Sequence, residues 1–431
     1  MTVLHNKNDS IFRLSLFQEF PTLMHYQSFG GYEALGKAMN ECPTKVIDTL
    51  TTAGLRGRGG AAFSTGLKMQ MVLNNTEQER YIICNADEGE PGTFKDRFIM
   101  THNPFQLLEG MSLAAYAVGA AKGFIYIRHE YPEEQDIMRH SIAAARAAGL
   151  LGENILGKGF SFDVEIFSGA GSYLCGEETA LLSSMEGKKG RPRVKPPYPT
   201  QCGLWGKPTL INNVETLANI PMIISRGGDW YRTLGTPDSP GTKLISLSGD
   251  VVERGLYEVP FGITFRQIID EYGGGIKDGR SIKAVNIGGA SGVVVPPWEL
   301  DCTLEYHSCN ERGITIGSGA VFVMDERRSI LANVHNRVEF FLHESCGKCT
   351  PCREGLRQAG RIIHNLLAGK ASMDDVENLE RYTRAMQNAA FCGLGQAAGN
   401  SLISSLHYFR SEYEAACVVY DQHCKREEIT A

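Results

Sequence analysis

Four cysteines in the last quarter of the chain have the spacing of ligands to a metal cluster. Cys346, Cys349 and Cys352 form a C-x-x-C-x-x-C run, and Cys392 follows about forty residues later. Three thiolates in one turn, completed by a distant fourth, suit a 4Fe–4S cube. Zinc more often takes two separated C-x-x-C pairs, and a disulfide knot is typical of small secreted chains. The spacing therefore favours an iron–sulfur cluster over zinc or a disulfide knot, and it leaves open what supplies the electrons.

A glycine-rich loop in the first part of the chain has the composition of a nucleotide-binding turn. Residues 57–62 match G-x-G-x-x-A, and Arg58 and Lys68 add positive charge for an anionic ligand. Glycines let backbone N–H groups come close to a phosphate or a flat ring. The match is weak as a dinucleotide fingerprint, because that motif follows a strand and residues 44–54 are typical of a helix. A purely structural turn is the alternative.

Three carboxylates follow the next apolar stretch. Asp87, Glu88 and Glu90 come directly after residues 81–85, which are predicted to form a strand. Open α/β sheets bind ligands at the carboxyl ends of their strands. Because carboxylates repel phosphates, these side chains are expected to face sugar hydroxyls, an amide or a protonatable ring nitrogen. A solvated acidic turn fits the same spacing.

Two later segments combine glycine with polar side chains at the start of a predicted helix. The residues concerned are Tyr173, Gly176, Glu177, Glu178, Asn212 and Asn213. The glutamates can stabilise a helix N-terminus electrostatically, and asparagine is a common helix cap. The same groups can also bond the heterocycle of a ligand. Their occurrence together with the cysteine motif favours ligand binding.

The predicted elements divide the chain into three regions. Up to residue 240, helices and strands alternate, which is typical of a three-layer α/β domain. Residues 241–326 carry short strands and one helix near residues 265–272, which predicts a small mixed domain. From residue 327 to residue 431, apolar residues recur at helical spacing, which predicts a helical bundle with the cysteines at helix ends. Individual elements predicted in the first region are helices over about 31–50 and 137–148 and strands over 81–85, 123–128 and 162–167.

Length, composition and charge bound the class of protein. At 431 residues the chain is long enough for roughly two to four domains. A net charge of −6 argues mildly against nucleic-acid binding. The first residues carry no apolar run of signal-peptide length, and the longest apolar run, residues 111–121, is too short to span a bilayer. The twelve cysteines are therefore expected in a reducing compartment, where clustered thiols favour metal ligation.

Taken together, the motifs identify a family resemblance. In chain order they are GRGGAAFSTGLK, CNADEGEPGTFKDR, GAGSYLCGEETALL, INNVETL and ESCGKCTPCREG, with FCGLG after them. They resemble the NADH-binding flavoprotein subunit of respiratory complex I, the NADH:quinone oxidoreductase, over about residues 31–410. The same subunit type serves as the diaphorase of NAD-linked hydrogenases and formate dehydrogenases.

This resemblance implies an enzyme, a flavoprotein subunit of NADH dehydrogenase with FMN, NADH/NAD and a 4Fe–4S cluster as its cofactors. It implies a Rossmann-like FMN- and NADH-binding domain over residues 1–240, a ubiquitin-like β-grasp domain over 241–326 and a cluster-bearing helical bundle over 327–431. NADH would pass a hydride to FMN, and single electrons would leave through the cluster toward a quinone-reducing respiratory chain.

The resemblance also implies partners and a location. The partners are a 2Fe–2S companion subunit and a larger iron–sulfur subunit of the same complex, without nucleic acid. The chain would belong to the peripheral arm of a membrane complex, on its cytoplasmic or matrix-equivalent side, and would meet the membrane only through that complex.

Individual residues receive roles from the same resemblance. The residues implied to line the flavin and the dinucleotide are Gly57, Arg58, Gly59, Gly60, Gly66 and Lys68. Those implied to hold FMN, with Glu177 as a further cofactor-binding residue, are Asn85, Asp87, Tyr173, Gly176, Glu178, Asn212 and Asn213. Glu88 and Glu90 would meet the nicotinamide side of NADH, while Phe63 and Tyr198 would flank its adenine. Glu90 and Glu178 are the nominated catalytic residues, as orienting groups. The implied cluster ligands are Cys346, Cys349, Cys352 and Cys392.

Four positions depart from the family pattern. Ala62 stands where the family usually has Gly, and Met69 replaces a usual Trp. Met71 stands where some members have an aromatic residue against the adenine, although a thioether can still pack on a ring. Tyr198 replaces a usual Phe. These changes bear on the affinity for NADH and leave the family resemblance intact.

Two other functions fit parts of the sequence. One is the same subunit type in a hydrogenase, a formate dehydrogenase or an electron-bifurcating complex. The chain reaches Ala431 without a further C-x-x-C-x-x-C-x-x-x-C-P run and shows no added N-terminal thioredoxin-like domain, which favours the respiratory type. The other is a binding module in which zinc at the cysteines has no redox role. Flavin absorbance and brown iron colour would exclude that module.

Overall fold

The architecture comes from a computed structural model, which describes residue 12 and residues 22–417. The N-terminal residues considered for a signal peptide lie, apart from residue 12, outside the described residues. None of the helices described is long and apolar enough to cross a membrane.

Helices and strands alternate in the first region, as predicted. The helices are α1 (Leu23–Ser28), α2 (Glu33–Ala38), α3 (Thr44–Ala53), α4 (Thr65–Leu73), α5 (Lys95–His102), α6 (Pro104–Val118), α7 (Pro132–Ala147), α8 (Glu178–Met185), α9 (Val214–Arg226) and α10 (Gly228–Arg232). The strands are β1 (Tyr81–Ala86), β2 (Lys122–Ile127), β3 (Gly152–Ile155), β4 (Phe160–Ser168) and β5 (Thr209–Asn213). The segment predicted to be helical over about residues 31–50 contains two separate helices, α2 and α3. Pro43, directly before α3, has no N–H to continue a helix from α2.

The strands of this region form one sheet in the order β3-β4-β2-β1-β5. Strands β4, β2, β1 and β5 are parallel, and only β3 pairs antiparallel, with β4. Helix α6 is buried almost all around and packs with α9 in the core on one side of the sheet. Leu181 and Leu182 of α8 pack in a separate core with Ile83 and Phe124 of the strands. Because parallel strands point the same way, their carboxyl ends meet at one edge of the sheet.

A second, mixed sheet follows. Its strands are β6 (Thr242–Gly249), β7 (Gly255–Pro260), β8 (Ile282–Ile287), β9 (Val293–Val295) and β10 (Ala320–Asp325). The order is β7-β6-β10-β8-β9, in which β6 and β10 are parallel and the other pairs are antiparallel. The helix predicted near residues 265–272 is present as α11 (Phe265–Gln267) with a π-helical continuation over Ile268–Tyr272, and α12 (Tyr306–Glu311) comes before β10.

The remaining described elements are helical, as their periodicity predicted. They are α13 (Ile330–Glu344), α14 (Thr350–Leu367), α15 (Met373–Ala389), α16 (Gly393–Ala397) and α17 (Asn400–Tyr408). Cys349 directly precedes α14 and Cys392 directly precedes α16, so the prediction that the cysteines lie at helix ends is confirmed. A buried apolar cluster around Cys352 joins the three parts of the chain, because it contains Leu174, Ala290 and Leu394.

Candidate functional site

The carboxyl edge of the parallel sheet carries two asparagines side by side. Asn85 of β1 lies opposite Asn213 of β5 in the strand register. The Nδ2 of Asn85 donates a hydrogen bond to the carbonyl oxygen of Gly176 at 2.8 Å. This bond holds the 3₁₀ turn Tyr173–Gly176 over the strand end. The sheet edge predicted from the sequence is therefore the place where the glycine- and asparagine-bearing motifs meet.

Two adjoining cavities open along this edge. The outer cavity has a volume of about 590 Å³ and is lined by Phe63, Lys68, Tyr198 and Asn212, among others. The inner cavity, of about 420 Å³, is lined by Asp87, Glu90 and Tyr173, among others. Both volumes lie in the range of small-molecule sites. The two cavities share Gly59, Ala61, Asn85, Gly176, Glu177 and Asn213.

The four cysteines surround a third, small cavity behind the inner one. Cys346, Cys349, Cys352 and Cys392 line it together with Leu174 and Leu394, which also line the inner cavity. All four are free thiols, which excludes the disulfide knot. Within residues 22–417, no three His, Cys, Asp or Glu side chains are grouped to hold one metal ion. The four thiols therefore line one common space, where they could hold a metal centre together.

The surroundings of these thiols link their deprotonation to metal binding. Burial raises the pKa of Cys352 to about 11 and also raises the pKa of Cys392. A bound metal replaces the thiol proton, so cluster assembly here releases protons.

The carboxylate of Glu88 accepts hydrogen bonds mainly from other groups of the protein. Its Oε1 accepts a hydrogen bond from the backbone N–H of Asp96 at 2.8 Å, and its Oε2 accepts one from that of Arg97 at 3.1 Å. Burial raises the pKa of Glu88 to about 7. Both carboxylate oxygens therefore cap the first turn of α5, a role that the sequence did not reveal. Glu88 lines the inner cavity, but its bonds are committed to this helix.

Glu90 joins two regions at the wall of the inner cavity. Its Oε2 accepts a hydrogen bond from the Tyr173 hydroxyl at 2.5 Å. Its Oε1 accepts bonds from the backbone N–H and the hydroxyl of Ser291, at 2.8 and 3.1 Å. Burial raises the pKa of Glu90. Glu90 is thus held in one orientation by groups from the 3₁₀ turn and from the second sheet region.

Two polar atoms at the cavities have no protein partner among the described residues. They are Asp87 Oδ2 and Asn212 Nδ2, and both are buried. Asp87 lines the inner cavity and Asn212 lines the outer one. A buried polar atom without a partner costs about 1–3 kcal/mol, and such atoms in native proteins usually meet a ligand, an ion or water. These two atoms are therefore available to a polar ligand that extends through both cavities.

Asp87 gives a pH-dependence that can be measured in protein stripped of bound ligands. Burial raises its pKa to about 8 from the ordinary 3.8, so the folded protein retains a proton that the unfolded chain releases between these values. The corresponding stability is fully present below about pH 4 and is lost as pH rises through 8. We expect the free energy of unfolding to fall by about 1–3 kcal/mol more in the wild type than in Asp87→Asn between pH 6 and 8.5.

Denaturant titrations at the two pH values measure this difference. Asp136→Asn, which removes an exposed carboxylate, is the control and should follow the wild type. Equal pH-dependence in the wild type and Asp87→Asn would show that Asp87 is ionised in the folded protein already at pH 6.

Glu177 and Glu178 form ion pairs with a lysine that the sequence did not single out. Lys195 Nζ lies 2.9 Å from Glu177 Oε1 and 2.7 Å from Glu178 Oε1. Glu177 also caps α8, since its Oε2 accepts from the N–H groups of Thr179 and Ala180 at 3.0 and 2.9 Å. The capping alternative is therefore confirmed for Glu177. Lys195, which also lines the outer cavity, lies in a proline-rich loop without helical or strand periodicity, so no sequence pattern pointed to it.

Asn213 is saturated by protein groups, in contrast to its neighbour Asn212. Its Oδ1 accepts from the backbone N–H of Glu215 at 3.0 Å and from Lys95 Nζ at 2.9 Å. Its Nδ2 donates to Asp96 Oδ2 at 2.7 Å. Asn213 thus caps α9, which is the common role that the sequence left open, and shapes the cavity wall as it does so.

A buried ionic network supports this wall from behind. Lys95 Nζ lies 2.5 Å from Asp96 Oδ1 and 3.1 Å from Glu215 Oε2, and Lys243 Nζ lies 2.6 Å from the same Glu215 oxygen. Lys95 and Asp96 line the inner cavity, and Lys243 belongs to β6. The network therefore connects the cavity to the second sheet. No spacing pattern predicted this network, although Lys95, Asp96 and Glu215 stand inside the quoted motifs.

Two residues predicted to bind the ligand line neither cavity. The Arg58 guanidinium is buried, donates to the Tyr231 hydroxyl and the Pro240 carbonyl at 2.9 Å each, and lies over the Phe261 ring. Its guanidinium therefore bonds with protein groups from other parts of the chain, and its role toward a ligand stays a prediction. At Gly66, in α4, a Cβ would come within 2.3 Å of Thr51 Oγ1, so this glycine permits close packing of α4 on α3.

Two aromatic rings at the outer cavity are exposed to solvent. Phe63 and Tyr198 line this cavity and are 42% and 52% exposed, and the Lys68 ammonium lies 5.8 Å from the Phe63 ring centroid. Met71 also lines the cavity, whereas Met69 is fully buried in the core. Of the two methionine departures, only Met71 can touch a ligand here, and the exposed rings suit a flat partner.

Ala62 has a backbone conformation that favours glycine, with φ of +53°. We expect Ala62→Gly to raise the free energy of unfolding by up to about 1 kcal/mol, because a Cβ in this region is strained. Denaturant unfolding measures the change. Ala61→Gly is the matched control and should be destabilising, since Ala61 is not among the positive-φ residues. A loss of stability in Ala62→Gly would contradict the expectation.

Comparisons with known proteins agree with the motifs that line these cavities. Residues 50–222 match the family model described as the Nuo51 FMN-binding domain. Residues 332–416 match the model described as the iron–sulfur binding region of NADH-ubiquinone oxidoreductase F. The first match covers the glycine loop and the sheet edge, and the second covers all four cysteines.

Individual relatives cover nearly the whole chain. The F 2 subunit of the NADH-quinone oxidoreductase of Rhizobium meliloti (strain 1021) is 46% identical over 91% of this chain and 94% of its own length. The HndC subunit of the NADP-reducing hydrogenase of Solidesulfovibrio fructosivorans is 44% identical over 94% of this chain and 82% of its own. A solved structure of an NAD⁺-reducing [NiFe]-hydrogenase in the H₂-reduced state superposes with a TM-score of 0.81 at 40% identity. That comparison covers 90% of this chain but only 64% of the hydrogenase chain.

Proposed function

The chain belongs to the family of NADH-quinone oxidoreductase F subunits, and on this premise we propose that it oxidises NADH at the two joined cavities and delivers single electrons through the cysteine site. It is a flavoprotein subunit of NADH dehydrogenase, with FMN and a 4Fe–4S cluster as its cofactors. The observation that carries the proposal is the wall that the inner cavity and the cysteine cavity have in common. Leu174 and Leu394 line both the inner cavity and the cysteine cavity, so a ligand in one lies next to the other.

The protein groups at the cavities fit these cofactors. Asp87 Oδ2 and Asn212 Nδ2 are buried without protein partners, and a flavin offers both N–H donors and carbonyl acceptors. Gly59 lets the loop lie close to Asn213, since a Cβ on it would be 3.0 Å from the Asn213 Cβ. Phe63 and Tyr198 present flat surfaces to an adenine. We assign the remaining predicted cofactor-binding residues to the same ligands. Glu88, Asn213, Arg58 and Gly66 would contribute by supporting the walls of the cavities.

The four thiols fit the cluster in number and placement. Cys346, Cys349, Cys352 and Cys392 are free thiols and line one small cavity. Metal binding is expected to require release of their protons. The chemistry that the bound cofactors supply is the conversion of a two-electron hydride transfer into one-electron steps.

The work of the protein in this reaction is positioning and electrostatics. Glu90, fixed by Tyr173 and Ser291, orients the reacting end of the dinucleotide in the inner cavity. Glu178, paired with Lys195, orients the part that lies in the outer cavity. Leu174 and Leu394 keep the boundary between inner cavity and cysteines apolar, which excludes water from it. None of these side chains needs to act as a general acid or base.

We propose the domain boundaries, the partner subunits and the location of the chain on the basis of the same family. We assign residues 1–240 to a Rossmann-like FMN- and NADH-binding domain, 241–326 to a ubiquitin-like β-grasp domain and 327–431 to the cluster-bearing bundle. The sheet order β7-β6-β10-β8-β9 supports the second assignment. The names of the relatives describe subunits of larger complexes. We therefore propose a 2Fe–2S companion and a larger iron–sulfur subunit as partners, in a peripheral arm on the cytoplasmic or matrix-equivalent side.

Three measurements on the purified protein test the proposal together. Flavin released on denaturation should be FMN, close to one per chain, and iron and acid-labile sulfide should approach four each. NADH should reduce ferricyanide through the flavin. A protein that carries zinc in place of iron and no flavin would contradict the proposal and favour the metal-stabilised binding module.

A second candidate is the diaphorase of an NAD-linked hydrogenase. The similarity to HndC and the TM-score of 0.81 with the NAD⁺-reducing hydrogenase favour it. Purification of the native complex distinguishes the two. Partners that reduce quinone indicate the respiratory type, whereas partners that carry a nickel–iron site indicate the hydrogenase type.

A further inference from the structure

The hydroxyl of one serine lies against a cysteine of the cluster site. Ser345, directly before Cys346, has its Oγ 3.3 Å from the Sγ of Cys352. Cys352 is buried, whereas Cys346, Cys349 and Cys392 are only partly buried. Water therefore competes least for this sulfur. A hydrogen bond to it acts in a less polar medium than a bond at the other three, and such bonds are stronger there.

The direction of this hydrogen bond follows from the groups around the hydroxyl. A serine hydroxyl has one proton to donate and lone pairs to accept. The backbone N–H of Gly347 donates to Ser345 Oγ at 3.3 Å, which leaves the hydroxyl proton free to point elsewhere. A cluster-bound Cys352 is a thiolate and can only accept. The Ser345 hydroxyl is thus the donor.

Ser345 is held in place from both sides. Its backbone N–H donates to the Phe341 carbonyl at the end of α13, at 2.9 Å. The preceding residue, Glu344, accepts from the backbone N–H of Tyr173 at 2.9 Å and from the Ser172 hydroxyl. The end of α13 is thereby fixed to the turn that lines the inner cavity. The hydroxyl stands at a defined position between that cavity and the cysteines.

We propose that Ser345 is a positioning residue that donates a hydrogen bond to the Cys352 sulfur and raises the reduction potential of the cluster. The inference rests on the proposed function, since it takes Cys352 as a cluster ligand. A donor at a ligand sulfur withdraws negative charge from the centre and stabilises the reduced form more than the oxidised form. Cys349 receives a backbone N–H from Phe391 at 3.5 Å instead. Of these two donors, only that of Ser345 can be removed by a side-chain substitution.

The test is an EPR-monitored redox titration of the purified protein with its cluster. Ser345→Ala should keep iron and sulfide at the wild-type content and shift the midpoint potential to a more negative value. Ser345→Thr keeps the hydroxyl and should stay near the wild type, because the φ and ψ of Ser345, −66° and 125°, suit a β-branched residue. Ser345→Val has nearly the shape of Thr without the hydroxyl and should match Ala. Ser405→Ala, which removes a buried hydroxyl elsewhere in the bundle, should leave the potential unchanged.

The outcomes separate this inference from the proposed function. A wild-type protein without iron, sulfide and a cluster signal overturns the proposed function itself. A wild-type cluster whose potential is the same in Ser345→Ala overturns the inference alone. Should the alanine variant load less cluster, the Thr and Val variants decide, and equal midpoint potentials in these two overturn the role of the hydroxyl.

Discussion

Replacement of Cys349 by alanine is expected to stop electron delivery to the partner subunits while NADH oxidation by ferricyanide continues. Cys349 is one of four thiols around the cysteine cavity, and a cube that loses one ligand is lost or altered. We expect delivery to fall by at least about 100-fold, because even changes outside the ligand shell of metal sites cost 10–100-fold. NADH:quinone reductase activity of the assembled complex, compared with its NADH:ferricyanide activity, measures the separation.

The matched control for this substitution is Cys302→Ala. Cys302 is a buried free thiol in the core of the second sheet, outside the cysteine cavity, so its loss should leave both activities close to the wild type. If Cys349→Ala retains full delivery, the cluster does not lie on the electron path. If it loses both activities together, the loss has reached the flavin cavity, and the ratio of the two activities no longer reports on the cluster.

Motif spacing predicted those parts of the site that depend on one element or on two neighbouring strands. The cysteines were predicted at helix ends, and Cys349 and Cys392 directly precede α14 and α16. The polar residues that follow β1 and those at the end of β5 meet because parallel strands bring their carboxyl ends together. Both inferences use only the geometry of a single element or of two neighbouring strands, which the sequence pattern contains.

The sequence did not reveal the protein partners of several predicted site residues, because these partners lie far away in the chain. Arg58 stands in a glycine loop typical of anion sites, but its guanidinium bonds with Tyr231 and Pro240, more than 170 positions later. Glu88 and Glu90 are chemically alike, yet Glu88 caps α5 and Glu90 meets Ser291 of the second sheet region. No local pattern distinguishes such pairs. Tertiary packing decides which charge faces the cavity and which is used within the protein.

The same contrast applies to the two asparagines at the end of β5. The sequence suggested either capping or ligand binding for both. The structure divides the roles, because Asn213 caps α9 and Asn212 keeps a buried, unpartnered Nδ2 at the outer cavity. Both line the outer cavity, but Asn213 directly precedes α9 and bonds its first turn, whereas Asn212 lies one residue earlier, opposite Cys84 of β1.

Substitution of Glu90 by glutamine is expected to lower kcat/KM for NADH by about tenfold or more while FMN remains bound. The carboxylate accepts from Tyr173 on one oxygen and from both Ser291 donors on the other. A glutamine amide has one oxygen, so either Tyr173 or Ser291 loses its acceptor, and the loss of one such bond costs about 1–3 kcal/mol. Stopped-flow reduction of the flavin by NADH measures the change, and the released flavin reports on occupancy.

Two further variants make the Glu90 result interpretable. Tyr173→Phe removes one of the donors that hold Glu90 and should lower the same rate in the same direction, since the carboxylate is then free to turn. Glu165→Gln removes a half-exposed carboxylate of β4 that pairs with Lys122 and should leave the rate unchanged. Unaltered reduction kinetics in Glu90→Gln would mean that the carboxylate only ties Tyr173 to the second sheet. In that case Glu90→Gln would lower only the thermal stability of the protein. Other groups of the inner cavity would then orient the nicotinamide.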